Sequence, residues 1–213
     1  MNRRKYPKYV MAALLCGAIS VPALGEEKAK DAKAPGESDM MAMMMELMKP
    51  GDNHKLLAQA VGSWTYSVKA WMNPDPKAAP MESSGSAVFR EAMGGRYVVS
   101  DHTGKMQMPG ADGKMMDMDF KGMGIDGYDN AKKKFVSSWI DNMGTGIMRL
   151  EGDYDAGTKT FTYVGEEEMM PGMKTKVRMV LKITDKDHRT FEFYEDRGGT
   201  EFKAMQIDYT RKS

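Results

Sequence analysis

The sequence predicts an all-β protein, an antiparallel up-and-down β-barrel of about ten strands preceded by a short N-terminal helix. Three observations carry this expectation. From Trp64 to the C-terminus, apolar residues recur with a period of two, as half-buried strands require. The alternating segments are separated by brief clusters rich in Gly, Asp and Asn, so consecutive strands are antiparallel neighbours. No helical period interrupts the series, and a sheet of this size must close or split into two layers. Closure removes exposed edges, which favours a barrel over a sandwich.

The chain opens with MNRRKYPKYVMAALLCGAISVPALGEEKAK. Arg3, Arg4, Lys5 and Lys8 precede an apolar run at 10–21 that is too short to span a bilayer as a stable helix. Ala23, Leu24 and Gly25 then place small residues at the −3 and −1 positions of a cleavage site. Residues 1–25 are therefore expected to be a secretory signal peptide, and the mature protein to be periplasmic or secreted. Cys16 lies inside the apolar run behind Leu15, where lipid attachment would want a small residue. The mature chain then has no cysteine, hence no disulfide and no thiolate chemistry. Cleavage removes four basic and no acidic side chains, taking the net charge from +1 to −3. A mildly acidic domain offers no electrostatic case for nucleic acid, and no second apolar run predicts a membrane span after cleavage.

Residues 26–51 form a leader, and the barrel domain follows over 52–213. The stretch EEKAKDAKAPGE, 26–37, is too polar to order itself and is expected to be a flexible tether. SDMMAMMMELMK follows, with Ser38 as a cap and Pro50-Gly51 as a stop. Helical spacing puts Met41, Met44, Met45 and Met48 on one face, which could also dock on the barrel mouth. A second helical piece begins at Asp52-Asn53, with Leu56, Leu57 and Ala60 on one side.

The strands are expected at 64–72, 83–92, 96–107, 117–126, 133–141, 146–154, 159–167, 174–184, 189–196 and 200–211. Asn73-Pro74-Asp75-Pro76, Gly94-Gly95, Asp129-Asn130, Asp155-Ala156-Gly157, Asp185-Lys186-Asp187 and Gly198-Gly199 supply turns between them. In the first strand Trp64, Tyr66 and Val68 share a face. In the last, Met205, Ile207, Tyr209 and Arg211 do. If these two strands pair to close the barrel, Arg211 lies across the Trp64 indole in a cation–π contact. Gly62-x-Trp64 after a short helix, with a late inward Arg, resembles the structural signature of the calycin and lipocalin barrels.

A more specific resemblance comes from GMGIDGYDNAKKKFVSSWIDNMGTGIM, 122–148, which is similar to the core motif of domain-of-unknown-function family 1579, found in bacterial exported proteins. It continues in HKLLAQAVGSW (54–64), GGRYVVSDHTGKM (94–106), VRMVLKITDKDHRTFEFYE (177–195) and GGTEFKAMQIDYTRK (198–212). The Met-rich 38–48 segment and the insert QMPGADGKMMD (107–117) depart from it. The resemblance implies a lipocalin-related barrel and supplies neither a reaction nor a ligand.

The sequence points to a binding module more than to an enzyme. There is no Gly-x-Ser-x-Gly elbow, His-Glu-x-x-His helix, phosphate loop or dinucleotide fingerprint, and the three histidines lack metal-ligand spacing. No cofactor is expected. In 133–141, Phe135, Ser137, Trp139 and Asp141 alternate to one side, a mixed polar and aromatic face suited to a lumen that orients a small, mainly apolar ligand. His102 and Arg178 join them if their faces turn inward, although Val177, Met179 and Leu181 compete with Arg178 for the interior. The competing reading is a buried structural network in which Asp141 pairs with an arginine. A second reading draws on 22 methionines left after Met1 and Met11 are removed. Thioethers bind Cu(I) or Ag(I), and Met41, Met44, Met45 and Met48 are the candidate ligands. A third reading is a structural or interaction barrel filled by its own side chains, since Met packs irregular cores without any metal.

Overall fold

The computed structural model describes residues 36–73, 77–110 and 113–213. The expected signal peptide, Cys16, most of the polar tether and the Pro74-Asp75-Pro76 part of the first turn lie outside the described residues. Two short helices, α1 (Glu37–Leu47) and α2 (Asp52–Ala58), precede ten strands: β1 (Gly62–Ala70), β2 (Met81–Ala92), β3 (Tyr97–Pro109), β4 (Met115–Asp129), β5 (Lys134–Asp141), β6 (Met148–Asp155), β7 (Thr160–Met170), β8 (Met173–Ile183), β9 (His188–Asp196) and β10 (Glu201–Arg211). Every strand pairs with its sequence neighbour, and β10 returns to pair with β1, so the sheet is a closed antiparallel barrel. This is the fold class the alternation predicts. Strand ends differ from the expected ones by at most three residues. The largest changes extend the β3–β4 and β7–β8 hairpins. The insert 107–117 lengthens the first of these, with Met106 paired to Met118 and Met108 to Met116.

Several turns share one device. Asp129 accepts backbone N–H bonds from Ala131 and Lys132, Asp155 from Gly157 and Thr158, Asp185 from Asp187, and Asp196 from Gly199. Each aspartate replaces ladder bonds that the reversing backbone cannot make.

Closure is fixed at the α2 end, the base of the barrel. Trp64 stands opposite Arg211 in the β1–β10 register and has no exposed surface. The Arg211 guanidinium lies 4.2 Å from the indole centroid and that of Arg189 lies 5.0 Å from it. The indole N–H donates to the Ala60 carbonyl at 2.8 Å. Arg211 also donates to the carbonyls of Gln59, Val61 and Lys186, so it ties the end of α2, the start of β1 and the β8–β9 turn together. Gly62 makes room for this clamp. Its φ of +133° suits glycine, and a Cβ there would stand 2.5 Å from the Arg211 guanidinium.

Helix α2 packs on β3 and β4 with Leu57 and Ala60 buried. His54 is buried with them, its Nδ1 accepting the Gly51 N–H at the helix start. Helix α1 is different. None of its residues is buried, and its C-terminal carbonyls are held by Asn130 and Arg96 on base-end turns. The methionine face therefore does not dock on the mouth. Among the described residues no helix is long and apolar enough to cross a membrane.

Trp64→Ala removes a fully buried indole and leaves Arg189 and Arg211 facing a void. It should cost about 3–5 kcal/mol in denaturant unfolding, and a change near zero would contradict the closure role. Gly62→Ala should also destabilise by displacing Arg211, without touching the core.

Candidate functional site

Strand alternation decides what the lumen contains. On β5, Phe135, Ser137, Trp139 and Asp141 point inward. On β3, Val98, Ser100 and His102 do, and on β9, Arg189, Phe191, Phe193 and Glu195. On β3 and β5 burial falls from base to mouth, whereas on β9 Glu195, at the mouth end, is buried again. Trp64, Tyr66, His102, Phe135, Phe161, Tyr163 and Tyr209 are buried, whereas Val68, Ser137, Trp139, Asp141, Phe193, Met205 and Ile207 keep part of their surface. The base half is packed by its own side chains, and the mouth half is partly open to water.

Between the halves lies a floor of rings. His102 sits edge-on to Trp139 at 5.0 Å and contacts Tyr66 and Phe89 at 5.8 and 5.5 Å. The Tyr209 hydroxyl and His102 Nε2 are 3.3 Å apart. Trp139 can lie flat against the wall because β4 presents Gly122 and Gly124 beneath it. A Cβ on Gly122 would collide with the indole, and one on Gly124 would stand 2.6 Å from the Ser100 hydroxyl. The Trp139 N–H donates to Asp141 at 2.8 Å, and Asp141 also accepts the Met143 N–H. Asp141 is thus held by an indole and a turn amide, not by an arginine.

Four of the five sequence candidates, Ser137, Trp139, Asp141 and His102, share this lumen. Arg178 does not. Its neighbours Val177 and Met179 take the interior, which turns Arg178 to the outer wall. There it makes a two-pronged pair with Glu201, both bonds 2.6 Å, and stacks 4.1 Å over Tyr194. The expectation of an inward Arg178 is corrected on that ground.

The lumen also holds charged and phenolic groups that were not singled out in the sequence. Asp126 on β4 faces Ser137 across the β4–β5 register and is hydrogen-bonded to it. Burial raises its pKa to about 6, against the opposing effects of that bond and of the Arg189 charge. Burial lowers the pKa of His102 to about 4, partly countered by Asp101. Arg189 falls to about 10 through burial and the nearby Arg211 charge. Tyr163 and Tyr209 are raised by burial, with Asp126 adding to both. Among the described residues, two buried polar atoms lack a hydrogen-bond partner, His102 Nδ1 and Arg189 Nε. An unpaired buried polar atom is costly and needs an explanation.

Two cavities lie outside the lumen. A groove of about 550 Å³ runs along the outer wall from the end of α1, past Tyr97, Ile125 and Val136. A cleft of about 490 Å³ opens at the base between α2 and the β6–β7 and β8–β9 turns. Among the described residues no group of three or more His, Cys, Asp or Glu side chains is placed to hold a metal ion. The proposed Met41, Met44, Met45 and Met48 set lies on the exposed face of α1, away from the lumen mouth.

His102 and Asp126 link stability to pH with opposite signs. Between pH 6.5 and about 4 the unfolded imidazole binds a proton that the folded one refuses, so the His102 contribution rises with pH. Between pH 3.8 and about 6 the folded Asp126 keeps a proton that the unfolded chain releases, so its contribution falls with pH. In the intact protein the two slopes offset. Asp126→Asn should expose the rising profile and His102→Phe the falling one, each by about 3 kcal/mol across the window. Urea unfolding between pH 4 and 7 measures both, and parallel profiles in the two variants would contradict the assignment.

Comparison with known proteins agrees with this architecture. The crystal structure of Rv2717c from M. tuberculosis is similar, with a TM-score of 0.53 and 14% identity over 78% of this chain and all of that one. The S-type phycobiliprotein lyase CPES from Guillardia theta matches with a TM-score of 0.49 and 9% identity, over 80% of this chain and 97% of that one. The likeness to Rv2717c concerns the barrel fold alone. No curated protein matches the chain. The family model described as "Protein of unknown function (DUF1579)" matches residues 49–211, the α2 helix and the whole barrel. The chain belongs to the DUF1579 family.

Proposed function

We propose that this protein is an exported binding module that holds a small, mainly apolar ligand in the mouth half of its lumen. The observation that carries the reading is the ring floor of His102, Trp139, Tyr66 and Tyr209 below inward side chains that stay partly exposed, with His102 Nδ1 unpaired. An apolar guest gains roughly 25 cal/mol for each Å² it buries there, and one polar group on it would satisfy His102. Asp141 and Ser137 add polar contacts along the same strand. The N-terminal pattern of four basic residues, a short apolar run and Ala23-Leu24-Gly25 supports export to the periplasm or beyond.

Native mass spectrometry of residues 26–213, purified from an exporting host without detergent and repeated after denaturing extraction, tests this. A stoichiometric extra mass that disappears on denaturation, and that Trp139→Ala fails to retain, is the expected result. A bare polypeptide under both conditions, together with no uptake of apolar fluorophores, would leave the self-filled barrel as the better account.

One observation favours soft-metal handling as a second reading. The lengthened β3–β4 hairpin carries Met-x-Met on each strand, and the register sets Met106 opposite Met118 and Met108 opposite Met116 on one face. Directly opposed residues have Cβ atoms about 4.5–5.5 Å apart, within reach of a shared thioether-bound Cu(I) or Ag(I). Replacing these four with leucine should abolish Ag(I) binding by titration, while replacing Met41, Met44, Met45 and Met48 should not. The reverse result would return the site to α1.

A further inference from the structure

The base cleft has a chemistry of its own, independent of the lumen reading. Its walls carry Lys159, Lys186, Arg189 and Arg211 against one carboxylate, Asp185, with Leu56, Tyr154 and Ile183 beside them. The nearby acids are already engaged. Asp185 accepts the Asp187 N–H and lies 2.9 Å from His188 Nδ1. Asp187 is 3.6 Å from Arg211 and 3.7 Å from Lys186. Arg211 gives its N–H groups to neutral carbonyls, which fix it without cancelling its charge.

Arg189 is the sharper anomaly. It is 7% exposed, its Nε is unpaired, and it shares the Trp64 indole with a second guanidinium. Asp126, half-buried on the lumen wall, is the acid whose charge acts on it. A buried guanidinium with an unpaired N–H is expensive. Here the same cation lines a cavity that opens to solvent between two lysines.

We propose that the base cleft binds an organic anion, a carboxylate or phosphate head held by Arg189, Lys159 and Lys186, with its apolar part against Leu56, Tyr154 and Ile183. Such a head neutralises the excess charge at the closed end of the barrel. The lysines are exposed and flexible, suited to drawing the anion in, whereas Arg189 is fixed by packing and sets where it stops.

Isothermal titration calorimetry at low salt, with decanoate and separately with inorganic pyrophosphate, tests the proposal on the full mature chain. At least one probe should bind with one-to-one stoichiometry. Lys159→Gln/Lys186→Gln, at exposed positions that leave the core intact, should weaken it about tenfold or more. Arg189→Gln should abolish it in protein whose circular dichroism shows a retained barrel. Binding of decanoate alone assigns the apolar wall a share of the affinity. Binding of pyrophosphate alone assigns the site to the charge. Absence of binding by both probes, or binding unchanged in the double lysine variant, overturns the proposal. Decanoate binding that Trp139→Ala weakens and the lysine changes do not would place the ligand in the lumen, sinking this site while leaving the lumen reading intact.

Discussion

The contact of Trp64 with two guanidiniums is the one on which the rest of the barrel depends. A closed sheet has one seam that sequence neighbours cannot make, and here it joins β1 to β10. Hydrogen bonds along that seam could in principle form in several registers. The indole and Arg211 remove the ambiguity, because they must lie opposite each other and because Arg211 must also reach the carbonyls at the end of α2. One side chain thus sets register, caps a helix and covers the base. The cost is a concentration of positive charge around a single ring, which Asp126 offsets only in part.

Above this base the interior changes character by degrees. Packed aliphatic and aromatic groups give way to a ring floor and then to half-exposed side chains. Glycines on β4 let the Trp139 ring lie against bare backbone, so a bulky indole adds little thickness to the wall. His102 and Asp126 are both held away from their usual protonation states by the same dry surroundings, in opposite senses. Their contributions to stability therefore run in opposite directions across mildly acidic conditions.

Much of this was legible in the sequence. Period-two alternation and short polar turns specified ten strands and their order, and parity placed Trp64 and Arg211 on one side. Ser137, Trp139 and Asp141 followed from the same rule. Parity failed where a strand offered no clear apolar face. On β4 the inward positions include Gly122 and Gly124, so the alternation that would have marked Asp126 as interior was muted. Arg189 was recoverable, since it continues the Phe191 and Phe193 face, but its position beside a turn made it resemble a solvated charge. Arg178 was the converse, a cation whose flanking Val177 and Met179 already filled the interior. The unpaired atoms of His102 and Arg189 and the base cleft have no sequence signal. They arise from segments far apart in the chain.

Closing the seam with the final strand has a kinetic side. β10 is made after the other nine strands, so a chain emerging from a ribosome can pair those nine by local hairpins while both edges stay unpartnered. The two ends meet only when β10, with Arg211, becomes available. That last pairing has the greatest sequence separation in the fold and carries the largest loop-closure entropy. Until it forms, the waiting edges are templates for association with other chains. Loss of β10 would therefore do more than remove one strand: it would leave a nearly complete sheet with no means of shutting.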